Sequence, residues 1–245
     1  MTETPGAPST PSVSHRGLLA RAVGILTAPR STYGDLIGRP RVLGALLLSV
    51  AILATGSLVF LRSEVGRQAV LEQITQQSEA RGRGLTDAQY ERLESFAPYL
   101  GVFLACAQVV GVVLGSLLVA LLALAVFNAF LGHNATFKQV WAVVAHSGFV
   151  LTLATFLIYP LDYVRESLTS PTTLLVFMPF LEEESFLARF LGAVDLFYVW
   201  WLVNLAIGFS VLYKRRTGPI AMGLLGVYVV LALAIAGVRY ALSGA

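Results

Sequence analysis

Residues 97–137 read APYLGVFLACAQVVGVVLGSLLVALLALAVFNAFLGHNATF, 41 positions without one Asp, Glu, Lys or Arg. A helix rises about 1.5 Å per residue and crosses the roughly 30 Å hydrocarbon layer in about 20 residues. This run is therefore twice as long as one crossing needs. Whether it is a hairpin or one long helix decides how many times the chain crosses. A hairpin needs a turn near the centre, and residues 112–127 offer only Gly115 and Ser116. Turn chemistry comes late, in LGHNAT at 131–136. The run reads as one helix over about 100–131, with its first turns tilted or outside the bilayer. A hairpin would move the chain's end to the opposite side.

Four further charge-free runs flank it: Val42–Leu61, Gln139–Leu161, Leu196–Tyr213 and Thr217–Val238. Hydrophobic residues make up 56% of the 245 and charged residues 13%, about half the charge of a soluble domain. The fold class is an all-α integral membrane protein with five transmembrane helices. Their expected bounds are about 42–61, 100–131, 139–160, 192–212 and 219–241, forming one membrane domain over 42–241. Hydrophilic loops are expected at 62–98 and 161–191. Within the first loop, Thr86 and Gln89 stand at capping-box spacing.

Residues 1–15 are rich in Pro, Ser and Thr and read as a disordered tail, without the basic region of a secretory signal. Residues 16–41 carry Leu18, Leu19, Ala22, Val23 and Leu26 at helical spacing, with Arg16 and Arg21 between them. Pro29 and Pro40 divide the stretch, so at most two short helices fit. It is too charged to span and suits the membrane surface, with the arginines toward the headgroups. The competing reading is an amphipathic helix packed on protein.

Orientation follows from Lys and Arg near the span ends. With the N-terminus inside, the inner segments hold nine basic residues and the outer ones eight, out of 17. The outer loops hold twelve of the 14 acids, and the acid-free turn at Lys214, Arg215 and Arg216 is the cleanest sign. N-in, C-out is the expected topology.

Catalytic templates are missing: no GxSxG, HExxH or Walker loop. His146 and Ser147 are helical neighbours pointing about 100° apart and cannot act as base and nucleophile. No catalytic, cofactor-binding or metal residues are assigned and no cofactor is expected. Cys106, the lone cysteine, reads as a small buried hydrophobe. Nothing suggests nucleic acid, because there is no basic, aromatic-laced surface. Polar residues inside spans are costly in hydrocarbon and face protein or water. Gln108, Asn128, His146 and Asn204 are that set, with Asp195 at its margin. Asn128, His146 and Asn204 form a candidate intramembrane polar cluster in the inner half of the bundle. Either they make interhelical hydrogen bonds or they line a path. In GAVDLFYVWWLVN (192–204), Asp195 and Asn204 are nine positions apart and lie on opposite helix faces. Asp195 then sits at the outer interface, with Trp200 and Trp201 packing deeper. GVVLG at 111–115 is a GxxxG pattern suited to close helix packing.

Three stretches resemble the Yip-domain family, named from eukaryotic Rab-GTPase-interacting proteins, and in particular its bacterial members. They are ILTAPRSTYGDLIGRPRVLGALLL before the first span, GHNATFKQVWAVVAHSGFV entering the third, and LGAVDLFYVWWLVNLAIGFSVLYK, with Asp195, Trp200 and Trp201 as family markers. The basic turn into the fifth span follows. The likeness covers about 17–241 and is least in the two acidic loops. It implies five spans, a cytosolic N-terminus and non-enzymatic binding of membrane proteins. Fifteen Arg against two Lys suggest a GC-rich bacterial genome. The expected protein is a multi-pass scaffold or interaction component of a bacterial inner membrane. Its partners are the lipid bilayer and an unidentified protein or a second copy of itself. The alternatives are a small transporter or channel, or an accessory subunit of a transport or secretion complex.

Overall fold

The computed structural model describes residues 17–243 except 81, 83, 132–134, 167–169 and 183. The tail at 1–15, Arg16 and most of the turn at 131–136 lie outside the described residues. Described helices are α1 (Leu18–Thr27), α2 (Pro29–Gly38), α3 (Leu43–Arg62), α4 (Glu64–Ala80), α5 (Asp87–Leu131), α6 (Phe137–Ser147), α7 (Phe149–Arg165), α8 (Phe186–Ala193), α9 (Leu196–Leu212) and α10 (Thr217–Ser243). No strand is present among the described residues; one isolated bridge joins Thr173 and Asp195.

Residues 97–131 of the apolar run lie in a single helix. α5 holds 45 residues, about 68 Å at helical rise, and its part from Tyr99 to Phe130 is long and apolar enough to cross a membrane. Its charged N-terminal turns stand beyond that part, and α4 packs on α5 near its start. There Phe60, Leu61 and Val70 make a small core with Ile74, Leu100, Leu104 and Tyr159. Cys106 is exposed on α5, which corrects the expectation that it is buried. On a membrane helix a small apolar side chain has no reason to avoid the lipid face.

Three more helices reach crossing length: α3, α10, and α6–α7 taken together as Phe137–Arg165. A full capping box starts α6: the Thr136 hydroxyl accepts from the Gln139 amide while the Gln139 side chain accepts from the Thr136 amide. Thr86 and Gln89 show the back-reaching half of the same motif, with the Thr86 amide donating to Gln89 Oε1 at 3.0 Å. Pro160, the last residue of the third span as bounded at 139–160, stays inside α7, which continues to Arg165. Membrane helices tolerate proline because neighbours re-satisfy the freed carbonyl.

α9 is largely enclosed, burying Leu202, Asn204, Leu205, Ala206, Gly208, Phe209, Ser210 and Leu212. It begins at Leu196, not near 192, because α8 ends at Ala193 and Asp195 is the N-cap. With 17 residues it measures about 25 Å, a little short of the hydrocarbon layer. So the four longer helices are membrane-crossing by length and composition, and α9 threads their core.

α1 and α2 form a helical hairpin folded at Ala28, with Pro29 as the first residue of α2. Proline suits that position because its missing N–H would have no partner there. The hairpin packs against α6, α7 and α9 and puts Ile25, Tyr33 and Leu36 into the main core. Its opposite face leaves Leu19 and Val23 exposed. The stretch expected at the membrane surface is thus amphipathic, and its inner face is a part of the bundle.

Candidate functional site

The three intramembrane polar residues each have their own partners, and none hydrogen-bonds another among the described residues. Asn204 is 2% exposed. Its Oδ1 accepts from the Tyr33 hydroxyl at 2.6 Å, and its Nδ2 donates to the Ile25 carbonyl at 3.0 Å. One side chain on α9 thereby holds both arms of the N-terminal hairpin. The Ile25 carbonyl belongs to the last turn of α1, where carbonyls run out of intrahelical donors. Burial pushes the Tyr33 phenol above its ordinary value, so it keeps the proton it donates. Gly208, one turn on, lets these elements close: a Cβ there would stand 2.5 Å from Val143 Cγ1 and 3.0 Å from the Tyr33 ring.

Asn128 lies near the C-terminal end of α5. Its Oδ1 accepts from the Tyr213 hydroxyl at 3.0 Å and its Nδ2 donates to the Ala135 carbonyl at 3.2 Å. Phe127, Phe209 and Tyr213 stack around that bond, with ring centroids 4.9 to 6.4 Å apart. His146 is fully buried; its Nδ1 lies 2.9 Å from the Ala142 carbonyl, and its Nε2 has no partner among the described residues. Beside it, the Ser147 hydroxyl accepts from Trp201 Nε1 at 3.0 Å. Trp201 is half-buried, while Trp200 is 37% exposed and packs on Phe197.

Asp195 is a junction. Its Oδ1 accepts from the Phe197 and Tyr198 amides and caps α9, while its Oδ2 accepts from the Ser170 and Thr172 hydroxyls. The Asp195 amide donates to the Tyr228 hydroxyl of α10 at 2.9 Å. In all four contacts a carboxylate oxygen of Asp195 is the acceptor. Asp195 binds the second hydrophilic loop, α9 and α10 together at one end of the bundle.

Between α3, α5, α7 and α9 lies a cavity of about 550 Å³. Asn128, His146 and Asn204 do not line it. Gln108, Ser49, Thr152 and Asp195 do, with Gly111 and Gly115. Among the described residues the two glycines of the GxxxG pattern meet nothing within 4 Å of a would-be Cβ, and they border this space. Gln108 Nε2 donates to the Tyr159 hydroxyl at 3.4 Å, and Gln108 Oε1 and Ser49 Oγ are buried without partners among the described residues. Of the interfacial residues, Arg21 is half-buried on α1 and Pro40 borders a groove beside α3. No group of three or more His, Cys, Asp or Glu able to hold a metal occurs among the described residues.

Tyr33 and Tyr213 are the side chains that sequence reasoning passed over. Tyr33 lies inside α2 and Tyr213 caps the end of α9; a buried tyrosine needs a partner for its hydroxyl, which is the one signal the sequence carries for them. A family model described as the Yip1 domain matches residues 23–238. No curated protein and no solved structure shows a significant match to the chain.

Proposed function

Because the chain belongs to the Yip1 domain family, we propose that it is a non-enzymatic scaffold that organises partner proteins in a bacterial inner membrane. It crosses five times, with the N-terminus inside and the C-terminus outside, α9 being the fourth and shortest crossing. The observation that carries the scaffold reading is the Tyr33–Asn204–Ile25 junction. Of the two roles open to the polar cluster, Asn128 and Asn204 support the structural one, each bonding to a separate element, as interhelical hydrogen bonds in membranes do, while His146 bonds within its own helix. The exposed apolar faces of α5 and α10 leave wide surfaces for lipid and for other membrane helices.

Affinity purification of the full chain in mild detergent tests the role. Recurrent co-purification of a membrane protein, or self-association, is the expected result; repeated recovery of neither rejects it. Paired reporter fusions test the crossings. An alkaline phosphatase fusion at the C-terminus should be active and a fluorescent-protein fusion dark; the reverse outcome leaves α9 as a non-crossing core helix.

The cavity at Gln108 favours a second reading, a small transporter or an accessory subunit of one. Solute flux in reconstituted vesicles that Gln108→Ala abolishes would select it; absence of flux for every solute tried counts against it.

A further inference from the structure

We propose that the groove between the start of α3 and the start of α6 binds one anionic phospholipid by its phosphate headgroup. The groove has a volume of about 600 Å³ and is bordered by Pro40, Arg41, Leu43, Phe137, Lys138 and Trp141. Arg41, in the link before α3, and Lys138, in the first turn of α6, are both exposed and flank the same opening. Neither forms an ion pair among the described residues, and no carboxylate borders the groove. Two uncompensated cations facing one opening favour an anion there.

The remaining walls favour an acyl chain below that anion. Leu43 is 71% exposed on the first turn of a crossing-length helix. The Trp141 ring is held in place by its Nε1, which donates to Ser116 Oγ on α5 at 3.1 Å. Phe137 packs against it with centroids 5.6 Å apart, so the two rings make a fixed apolar wall. Aromatic rings with a polar edge suit headgroup depth. Charge at the mouth and hydrocarbon along the walls match a phospholipid, not a soluble phosphate. This inference needs only that α3 and α6–α7 cross the membrane; it is independent of the scaffold role and of which way round the chain sits.

The test is native mass spectrometry of the full chain released from nanodiscs holding equal phosphatidylglycerol and phosphatidylcholine with identical acyl chains. Wild type should retain phosphatidylglycerol preferentially. Arg41→Gln and Lys138→Gln should each cut that preference about fivefold, and the double variant about thirtyfold. Arg41→Lys with Lys138→Arg should retain most of it, and Lys214→Gln, removing a cation from a different turn, should leave it intact. Both substituted side chains are exposed, so folding is expected to survive and is checked by monodispersity. Equal retention of the two lipids by wild type overturns the proposal, as does an undiminished preference in the double variant. Displacement of the lipid by free glycerol phosphate would make the groove a soluble-phosphate site and also overturns it.

Discussion

Replacing Tyr33 by Phe removes one oxygen and leaves Asn204 Oδ1 buried with no donor. An orphaned buried acceptor costs about 1–2 kcal/mol, so Tyr33→Phe should lower the thermal unfolding midpoint in detergent by a few degrees. Asn204→Leu should cost more, because it strands both the Tyr33 hydroxyl and the Ile25 carbonyl. The two changes together should cost less than their sum, since the second removes a partner the first already lost. Strict additivity in a double-mutant cycle would mean the bond contributes nothing. Gly208→Ala tests the same contact sterically. Its Cβ would overlap Val143 on a neighbouring helix, and overpacking of that kind costs about 1–3 kcal/mol. Gly111→Ala, where nothing lies within 4 Å, should leave the midpoint unchanged.

Among the elements, α9 shows how much of the fold was legible in the sequence and where legibility stopped. Its apolar run is plain, because lipid and protein both accept a helix that is hydrophobic all round. Its start is less so. Asp195 before an apolar stretch is an N-cap signal, yet Gly192, Ala193 and Val194 are themselves apolar and hide the break between α8 and α9. The hydroxyls that hold Asp195 come from Ser170 and Thr172, and no periodicity links residues more than twenty positions apart. The polar residues inside spans could be found from their cost in hydrocarbon, but their partners could not, because Tyr33 and Tyr213 lie in charged, turn-rich segments. Asp195→Ala should unseat the start of α9, costing about 1–2 kcal/mol for the cap alone and more for the hydroxyls left unpaired. Faster hydrogen exchange at the Phe197 and Tyr198 amides is the readout; unchanged exchange there would show that the cap is dispensable. Asp195→Asn, which keeps an acceptor, should fall between the two.

For the whole molecule, the hairpin of α1 and α2 is the element that closes the bundle. Ile25, Tyr33 and Leu36 are each no more than 1% exposed, and α1 and α2 together touch α3, α6, α7 and α9. Deleting residues 1–38 should therefore leave the crossing helices inserted but loosely packed. A broadened size-exclusion profile and rapid proteolysis in detergent would show this; an unchanged profile would mean that the hairpin is an appendage. The same geometry sets a timetable for synthesis. Tyr33 leaves the ribosome 171 residues before Asn204, and at about 5–20 residues per second that interval is roughly 10–35 s. Throughout it the buried face of the hairpin has no α9 to cover it, and α3, α6 and α7 are made first among the helices it touches. Of the contacts that hold the hairpin, the one to Asn204 is thus the last to become available in the order of synthesis.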